Sequence, residues 1–330
     1  MRAATIATAL IVCLLAGCGS DTSTTSSAAP ARPATMILDF TPNAVHAGVY
    51  SALGRHYDRA HGVRLHVIAP TASTDSIKLL ETGKVDFAIL DIHDLAIARQ
   101  RGQDIVGVMA IVERPLSAVI AAPGVPSPKA LPGKTVGITG VPSDTAVLRS
   151  IVAGGGGDPS KVKTITIGFN AVADLLTGRV AAATAFWNDE GQAIQSKRPG
   201  FHIFRVENYG APAYPELVLT TTRRTLERDP GLTRDVVDAL RQGYRFTVAH
   251  PAASATDLER LNPALDPKLV SAQLQGLLPA FRAADGGVGE LNLATLRAWA
   301  AWEARFGIVP RPPDVARAFD PSLTATPASS

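Results

Sequence analysis

Met36-Ile37-Leu38-Asp39-Phe40-Thr41-Pro42-Asn43-Ala44-Val45-His46-Ala47-Gly48-Val49-Tyr50 sets the pattern that the rest of the chain repeats. Residues 36–40 are a short apolar run of strand character. Thr41-Pro42 interrupts it, and 43–56 carries apolar residues at helical spacing. Asn43 suits the helix start, because its amide both donates and accepts. In an open α/β sheet, the place where a strand feeds a helix is the usual ligand-facing edge. Asp39, Phe40, Asn43, His46 and Tyr50 are therefore the first candidate site residues.

The same rhythm runs outward. Strands are expected at 64–68, 86–90, 105–113 and 117–121, with helices at 75–82 and 94–100 between them. Val125-Pro126-Ser127-Pro128 is a break, after which a second set begins. That set has strands at 135–138, 164–167 and 181–186, and helices at 143–152 and 170–176. The run 216–221 leads back out, and the remainder reads as helices at 232–249, 251–261, 267–278 and 291–306. Alternation of this kind predicts an α/β fold with two lobes, each a mixed, mostly parallel sheet flanked by helices. The expected first lobe is 36–122 with 222–319, and the second is 123–221. A cleft between them would collect strand ends from both. Asp91 and His93, just after the 86–90 strand, should face it. So should Trp187, Asn188 and Glu190 in Phe186-Trp187-Asn188-Asp189-Glu190, where a flat ring sits beside an amide and carboxylates. Tyr214 and Glu216 lie in a Pro-rich loop, 209–216, just before the return strand.

The 330 residues are 46% hydrophobic and 18% charged, which is enough apolar material for a sizeable core and argues against global disorder. A net charge of +3 supplies no phosphate-neutralising excess, so no nucleic-acid partner is expected. The two cysteines are Cys13 and Cys18. The rest of the chain therefore has no disulfide framework, no Cys-ligated zinc and no cysteine nucleophile. Arg2, an apolar run at 6–15 and Leu15-Ala16-Gly17-Cys18 resemble a bacterial lipoprotein signal, with 1–17 removed and Cys18 acylated. The run is too short to span a bilayer. Residues 18–35 are rich in Ser, Thr and Pro and are expected to be a disordered tether, with 320–330 a disordered tail. The seven histidines include no His-x-x-x-His or His-Glu-x-x-His pair, so neither metal nor cofactor is expected. Gly154 to Gly157 lacks the Lys-Ser/Thr of a P-loop, and no Gly-x-Ser-x-Gly elbow exists, so no catalytic set is assigned.

Leu38-Asp39-Phe40-Thr41-Pro42-Asn43, with His46, Gly48 and Tyr50, resembles the thiamine-pyrimidine-precursor binding proteins of bacterial ABC transporters. The precursors are hydroxymethylpyrimidine and formylaminopyrimidine. The wider family includes eukaryotic thiamine pyrimidine synthases and resembles sulfonate- and nitrate-binding proteins. The likeness continues through Gly83-Lys84-Val85-Asp86-Phe87, Pro128-Lys129-Ala130-Leu131-Pro132-Gly133-Lys134-Thr135-Val136-Gly137 and Phe186-Trp187-Asn188-Asp189-Glu190. It ends at Tyr209-Gly210-Ala211-Pro212-Ala213-Tyr214-Pro215-Glu216-Leu217-Val218, and so covers most of 36–222 in order.

The resemblance implies a type II periplasmic-binding-protein architecture and a non-enzymatic receptor. It would be monomeric, extracytoplasmic, lipid-anchored in the cell envelope through Cys18, and partnered by a permease with its ATPase. An aminopyrimidine is flat, with N–H donors beside ring acceptors. A carboxylate accepts from its amine, as Glu and Asp do from cytosine, and an aromatic stacks on its ring. Trp187 is the expected stacking residue, with Phe40 or Tyr214 as partner. Glu190 is the first choice for the amine and Glu216 the second, with Asn43 and Asn188 as a polar rim and His46 and Tyr50 one step further back. In the synthases a pyridoxal phosphate lysine, a substrate histidine and a cysteine-rich stretch do the chemistry. His93 resembles that histidine, but Ile89-Leu90-Asp91 holds no lysine and no cysteine follows Cys18. Related receptors take riboflavin, sulfonates or nitrate. Asp39, Asp91, Asp189, Glu190 and Glu216 disfavour an anion, with Arg114 the nearby exception.

Overall fold

The computed structural model describes residues 30–283 and 286–325. Cys18, the apolar run before it and residues 20–29 lie outside the described residues. In chain order the elements begin with β1 (Arg32–Ile37), α1 (Ala47–Gly54), α2 (Tyr57–Ala60), β2 (Val63–Ile68), α3 (Asp75–Glu81), β3 (Phe87–Asp91), α4 (Ile92–Gln100) and β4 (Ile105–Ala110). Next come β5 (Ser117–Ala121), β6 (Thr135–Ile138), α5 (Asp144–Gly154), β7 (Lys163–Thr166), α6 (Ala171–Leu176), β8 (Ala182–Phe186), α7 (Glu190–Lys197) and β9 (His202–Arg205). The chain returns through β10 (Leu217–Thr222) into α8 (Arg223–Arg228), α9 (Pro230–Ala249), α10 (Pro251–Leu261), α11 (Pro267–Leu277), α12 (Leu293–Arg305) and α13 (Val315–Ala318).

Two five-stranded sheets result, ordered β2-β1-β3-β10-β4 and β7-β6-β8-β5-β9. β1 runs parallel to β2 and β3, whereas β10 is antiparallel to β3 and β4. β6 runs parallel to β7 and β8, whereas β5 is antiparallel to β8 and β9. Four of the five strands in each sheet therefore run the same way, as expected, and β10 and β5 are the reversed ones. The reason is topological: β5 and β10 each arrive from the other sheet without a crossover helix, so they enter in the reverse direction. Ser117–Ala121, expected with the first lobe, therefore belongs to the second sheet. The two sheets are joined at 111–116 and 206–216.

Local differences shape the site. β1 begins at Arg32, inside the expected tether, because Arg32 to Ile37 ladder residue by residue onto Val63 to Ile68. Its small side chains conceal that strand in the sequence. β1 ends at Ile37, with the Leu38 N–H still reaching the Ile68 carbonyl at 3.0 Å. Asp39 and Phe40 are thereby free of the ladder. The expected helix from 43 is preceded by a single 3₁₀ turn, Ala44–His46, since the Asn43 N–H donates to His46 Nδ1 at 3.2 Å and Asn43 Oδ1 accepts from the Val45 N–H at 2.9 Å. The expected tail also contributes structure: Pro321–Leu323 form a turn that buries Leu323 and Thr324, while 326–330 lie outside the described residues.

Helix α1, which follows the site loop, is seated on α9 at very short range. A Cβ built on Gly243 would stand 2.1 Å from the Gly48 carbonyl oxygen, and one on Gly48 would stand 2.3 Å from Tyr244 Cγ. The Tyr244 hydroxyl donates to the Val45 carbonyl at 2.9 Å, which fixes the 3₁₀ turn from behind. Gly243→Ala should therefore destabilise the fold by about 1–3 kcal/mol, the usual cost of overpacking. Gly231→Ala, whose new Cβ would meet nothing closer than 3.5 Å, serves as the near-neutral control. Denaturant unfolding of both variants checks this.

Candidate functional site

Strand ends from both sheets enclose a cavity of about 920 Å³, counting its open mouth. The first sheet supplies Asp39, Phe40 and Asn43 after β1, Ser76 and Ile77 on α3, and Asp91 with Asp94 at the β3–α4 junction. The second supplies Thr139, Ser143 and Asp144 between β6 and α5, Phe169, and Thr184, Phe186, Asp189 and Glu190 around the end of β8. Three phenyl rings face this space. Phe40 meets Phe169 edge-on, with centroids 4.4 Å apart. Six carboxylates line the cavity, and its described lining includes no Arg, Lys or His.

Of the expected residues, Asp39, Phe40, Asn43, Asp91 and Glu190 line the cavity together. His46 does not. It is fully buried behind the loop, and because its Nδ1 accepts from Asn43, its Nε2–H donates to Asp39 Oδ1 at 2.8 Å. His46 therefore aims Asp39. Tyr50 is buried away from the cavity, where burial raises its phenol.

Trp187 is also outside the lining. Its indole N–H donates to the Pro115 carbonyl at 3.0 Å, and the Arg205 guanidinium covers its face at 3.9 Å. Asn188 is buried beside it, with Oδ1 lacking a hydrogen-bond partner among the described residues. Phe186, one residue earlier, faces the cavity with Thr184, as two-residue spacing on a strand dictates. That spacing was the signal available in the sequence. Nothing in the sequence singled out Phe169, Asp94 or Asp144.

Tyr214, Glu216 and His93 are fully buried and do not line the cavity. Glu216 accepts from the Leu116 N–H at 2.5 Å, the Ser117 N–H at 2.8 Å and the Ser117 hydroxyl at 2.7 Å. It thus fastens the return crossing to the outgoing one. His93 Nδ1 contacts Glu303, and His93 Nε2 lies 3.1 Å from the Tyr214 hydroxyl. Burial opposes a charged imidazole there, yet Glu303 and Asp91 outweigh it and hold His93 up at about 10. Asp91, His93 and Glu216 place ligand atoms within 4.8 Å of one another, a grouping a metal could use. A protonated His93 offers no lone pair, however, and Glu216 is filled by three donors, so the residues fit an ion-pair network better than a metal.

Three of the lining carboxylates are strongly perturbed. Burial and the Asp189 charge push Glu190 up to about 8, while its Oε2 accepts from the Phe186 N–H at 3.0 Å. Burial pushes Asp189 up to about 6 despite the hydrogen bond from Gln273 on α11. Burial and the Asp144 charge push Asp94 up to about 7. An enclosed, aromatic, acceptor-rich space of this kind suits a flat ligand that donates hydrogen bonds and carries no negative charge.

A family model described as NMT1/THI5 like matches residues 43–254. The chain is 30% identical over 245 residues to a formylaminopyrimidine-binding protein of Halalkalibacterium halodurans, covering 73% of this chain and 74% of that protein. It is 27% identical over 263 residues to the riboflavin-binding protein RibY of Chloroflexus aurantiacus, covering 73% of each. Among solved structures, the alkanesulfonate-binding protein SsuA of Xanthomonas axonopodis pv. citri, bound to MOPS, superposes with a TM-score of 0.71. At 17% identity, it covers 89% of this chain and 99% of that one, which establishes the shared fold.

Two outcomes follow from the geometry. Glu216→Ala strands two buried N–H groups and should cost about 3 kcal/mol or more, read by denaturant unfolding. Glu190, Asp189 and Asp94 keep protons in the folded chain at pH values where the unfolded chain, at 4.5 or 3.8, has lost them. The folded chain then binds more protons, so these groups make stability fall as pH rises from about 4 to about 8. Glu190→Gln should flatten that fall, and unfolding curves at both ends of the window measure it.

Proposed function

The chain belongs to the family described as NMT1/THI5 like; we propose that it is the substrate-binding receptor of an ABC importer and that the molecule it carries is a thiamine pyrimidine precursor. The observation that carries this reading is the pairing of three phenyl rings with Glu190 in a cavity whose described lining holds no cation. An aminopyrimidine stacks against Phe186, with Phe40 and Phe169 at its edge. It presents its exocyclic amine to Glu190 and finds Asn43 and Asp39 beside it. Phe40 was one of the two expected stacking partners, and Phe186 and Phe169 take the place expected for Trp187 and Tyr214. Glu216 is withdrawn as a ligand residue, since its acceptors are already used.

Glu190 and Asp189 repel each other when both are ionised, and an amine placed between them supplies hydrogen bonds that water-poor surroundings deny. The chain carries the material as a receptor and performs no chemistry on it: the lysine and cysteines of the synthases are absent. Acylation of Cys18 would hold the receptor in the cell envelope, outside the cytoplasm. It would act as a monomer beside its permease and ATPase. Among the described residues, no helix is long and apolar enough to cross a membrane. The two sheets support lobe limits that follow sheet membership, with 117–205 in the second lobe. Docking of the lobes over the ligand would signal occupancy to the permease.

Titration of the chain lacking its first 18 residues with hydroxymethyl-aminopyrimidine and its formylamino analogue tests the reading. Heat at micromolar affinity or better is expected. Loss of stacking is worth about 1–3 kcal/mol, so Phe186→Ala should weaken binding by about tenfold or more. Glu190→Gln should do the same, while Trp187→Phe should leave the affinity within a factor of about three. Silence with both pyrimidines, together with binding of riboflavin or an alkanesulfonate, would overturn the assignment and leave the receptor fold intact.

A further inference from the structure

The turn between β6 and α5 is built like an anion site. Gly140 sits at φ +97°, which lets successive backbone N–H groups point the same way into a concave nest. The eleven-residue α5 adds the positive end of its dipole. In this chain the nest is already filled by a carboxylate of its own. Asp144 Oδ2 accepts from the Gly140 N–H at 2.6 Å, the Val141 N–H at 3.1 Å and the Thr139 hydroxyl at 2.8 Å. Its Oδ1 accepts from the Thr184 hydroxyl at 3.0 Å. The next free amide, Ser143 N–H, donates at 3.2 Å to Asp94 Oδ1, which reaches across from α4.

We propose that Asp144, backed by Asp94, is the specificity residue that turns this receptor away from anionic ligands, phosphate monoesters and sulfonates included. The donors of this nest, the Gly140, Val141 and Ser143 N–H groups and the Thr139 and Thr184 hydroxyls, are taken by internal carboxylates. An anion at that end of the cavity would also stand against the Asp144 carboxylate, with no lining Arg or Lys to balance it. What the pair presents to the ligand is acceptors, so that end of the cavity suits hydroxyl or N–H donors. The strain is already visible between the two residues, since burial and the Asp144 charge keep Asp94 protonated up to about 7. The preference for a donor-bearing pyrimidine rests on the reading above, whereas the exclusion of anions rests on these hydrogen bonds alone.

Isothermal titration with inorganic phosphate and with methanesulfonate, on wild type, Asp144→Ser and Asp144→Asn, tests it. Wild type should show no binding. Asp144→Ser vacates the nest and leaves four convergent donors, so it should gain affinity for both anions by about tenfold or more. Asp144→Asn keeps an acceptor for Gly140 and Val141 but removes the charge. It should fold even where the serine variant does not, and should show a smaller gain in the same direction. Phosphate or methanesulfonate binding by wild type, or no gain in either folded variant, would overturn the proposal. Hydroxymethyl-aminopyrimidine titrated alongside separates the two ideas. If wild type ignores it while the variants gain anion affinity, the pyrimidine reading falls and the exclusion stands.

Discussion

Glu216 joins the two places where the chain passes between its sheets. Its carboxylate belongs to the return crossing and takes three hydrogen bonds from Leu116 and Ser117 on the outgoing one. β5 and β10 begin at or next to these residues. The staple therefore sets where the antiparallel strand of each sheet starts, and with it the position of the strand ends that form the cavity. A carboxylate at zero exposure is tolerated there because each oxygen is satisfied. His93, held protonated by Glu303 and Asp91, adds a compensating charge 3.6 Å away.

Around this fixed frame the protein divides its acidic groups by role. Glu216 and Glu303 are structural and look inward. Asp39, Asp189 and Glu190 look into the cavity, where a ligand's donors can reach them. Asp144 does both, because it closes its own turn and borders the same space. Asp189 and Glu190 pay for their burial with raised proton affinities, and the second sheet positions Glu190 through the Phe186 N–H. A site arranged this way is more comfortable with a hydrogen-bond donor inside it than without one. The C-terminal helices support the frame from outside: Gln273 on α11 holds Asp189, and a Cβ built on Gly276 of the same helix would stand 3.6 Å from Trp187 Cζ3.

Much of the fold was legible in the sequence. Apolar runs separated by helical spacing located nine of the ten strands and the longer helices, since periodicity reports which side of an element is buried; β9, α2, α7, α8 and α13, short or weakly apolar, went unread. The loop after β1 was recognisable from Asp39, Phe40 and Asn43, because a strand opening into a capped helix has a fixed local chemistry. Lobe limits were less legible. Ser117–Ala121 reads the same in either sheet, and only its pairing with Ala182–Phe186 assigns it. Trp187, Tyr214, Glu216 and His93 look like ligand residues in sequence for the same reason that they make good hinge residues: each combines a polar group with a large or charged body.

The amino-acid sequence alone determined the α/β rhythm, the family likeness, the absence of cysteine chemistry after Cys18 and the acidic bias of the cleft. These follow from local pattern and composition, which need no long-range information. Tertiary structure decided which of several similar side chains meet the cavity. Phe186 and Trp187 are neighbours on one strand end and point to opposite sides. Glu190 and Glu216 are both buried acids, and only the second finds three donors from a segment about a hundred residues away. Contacts between distant segments fix those choices, because a buried polar group goes wherever its partners are brought.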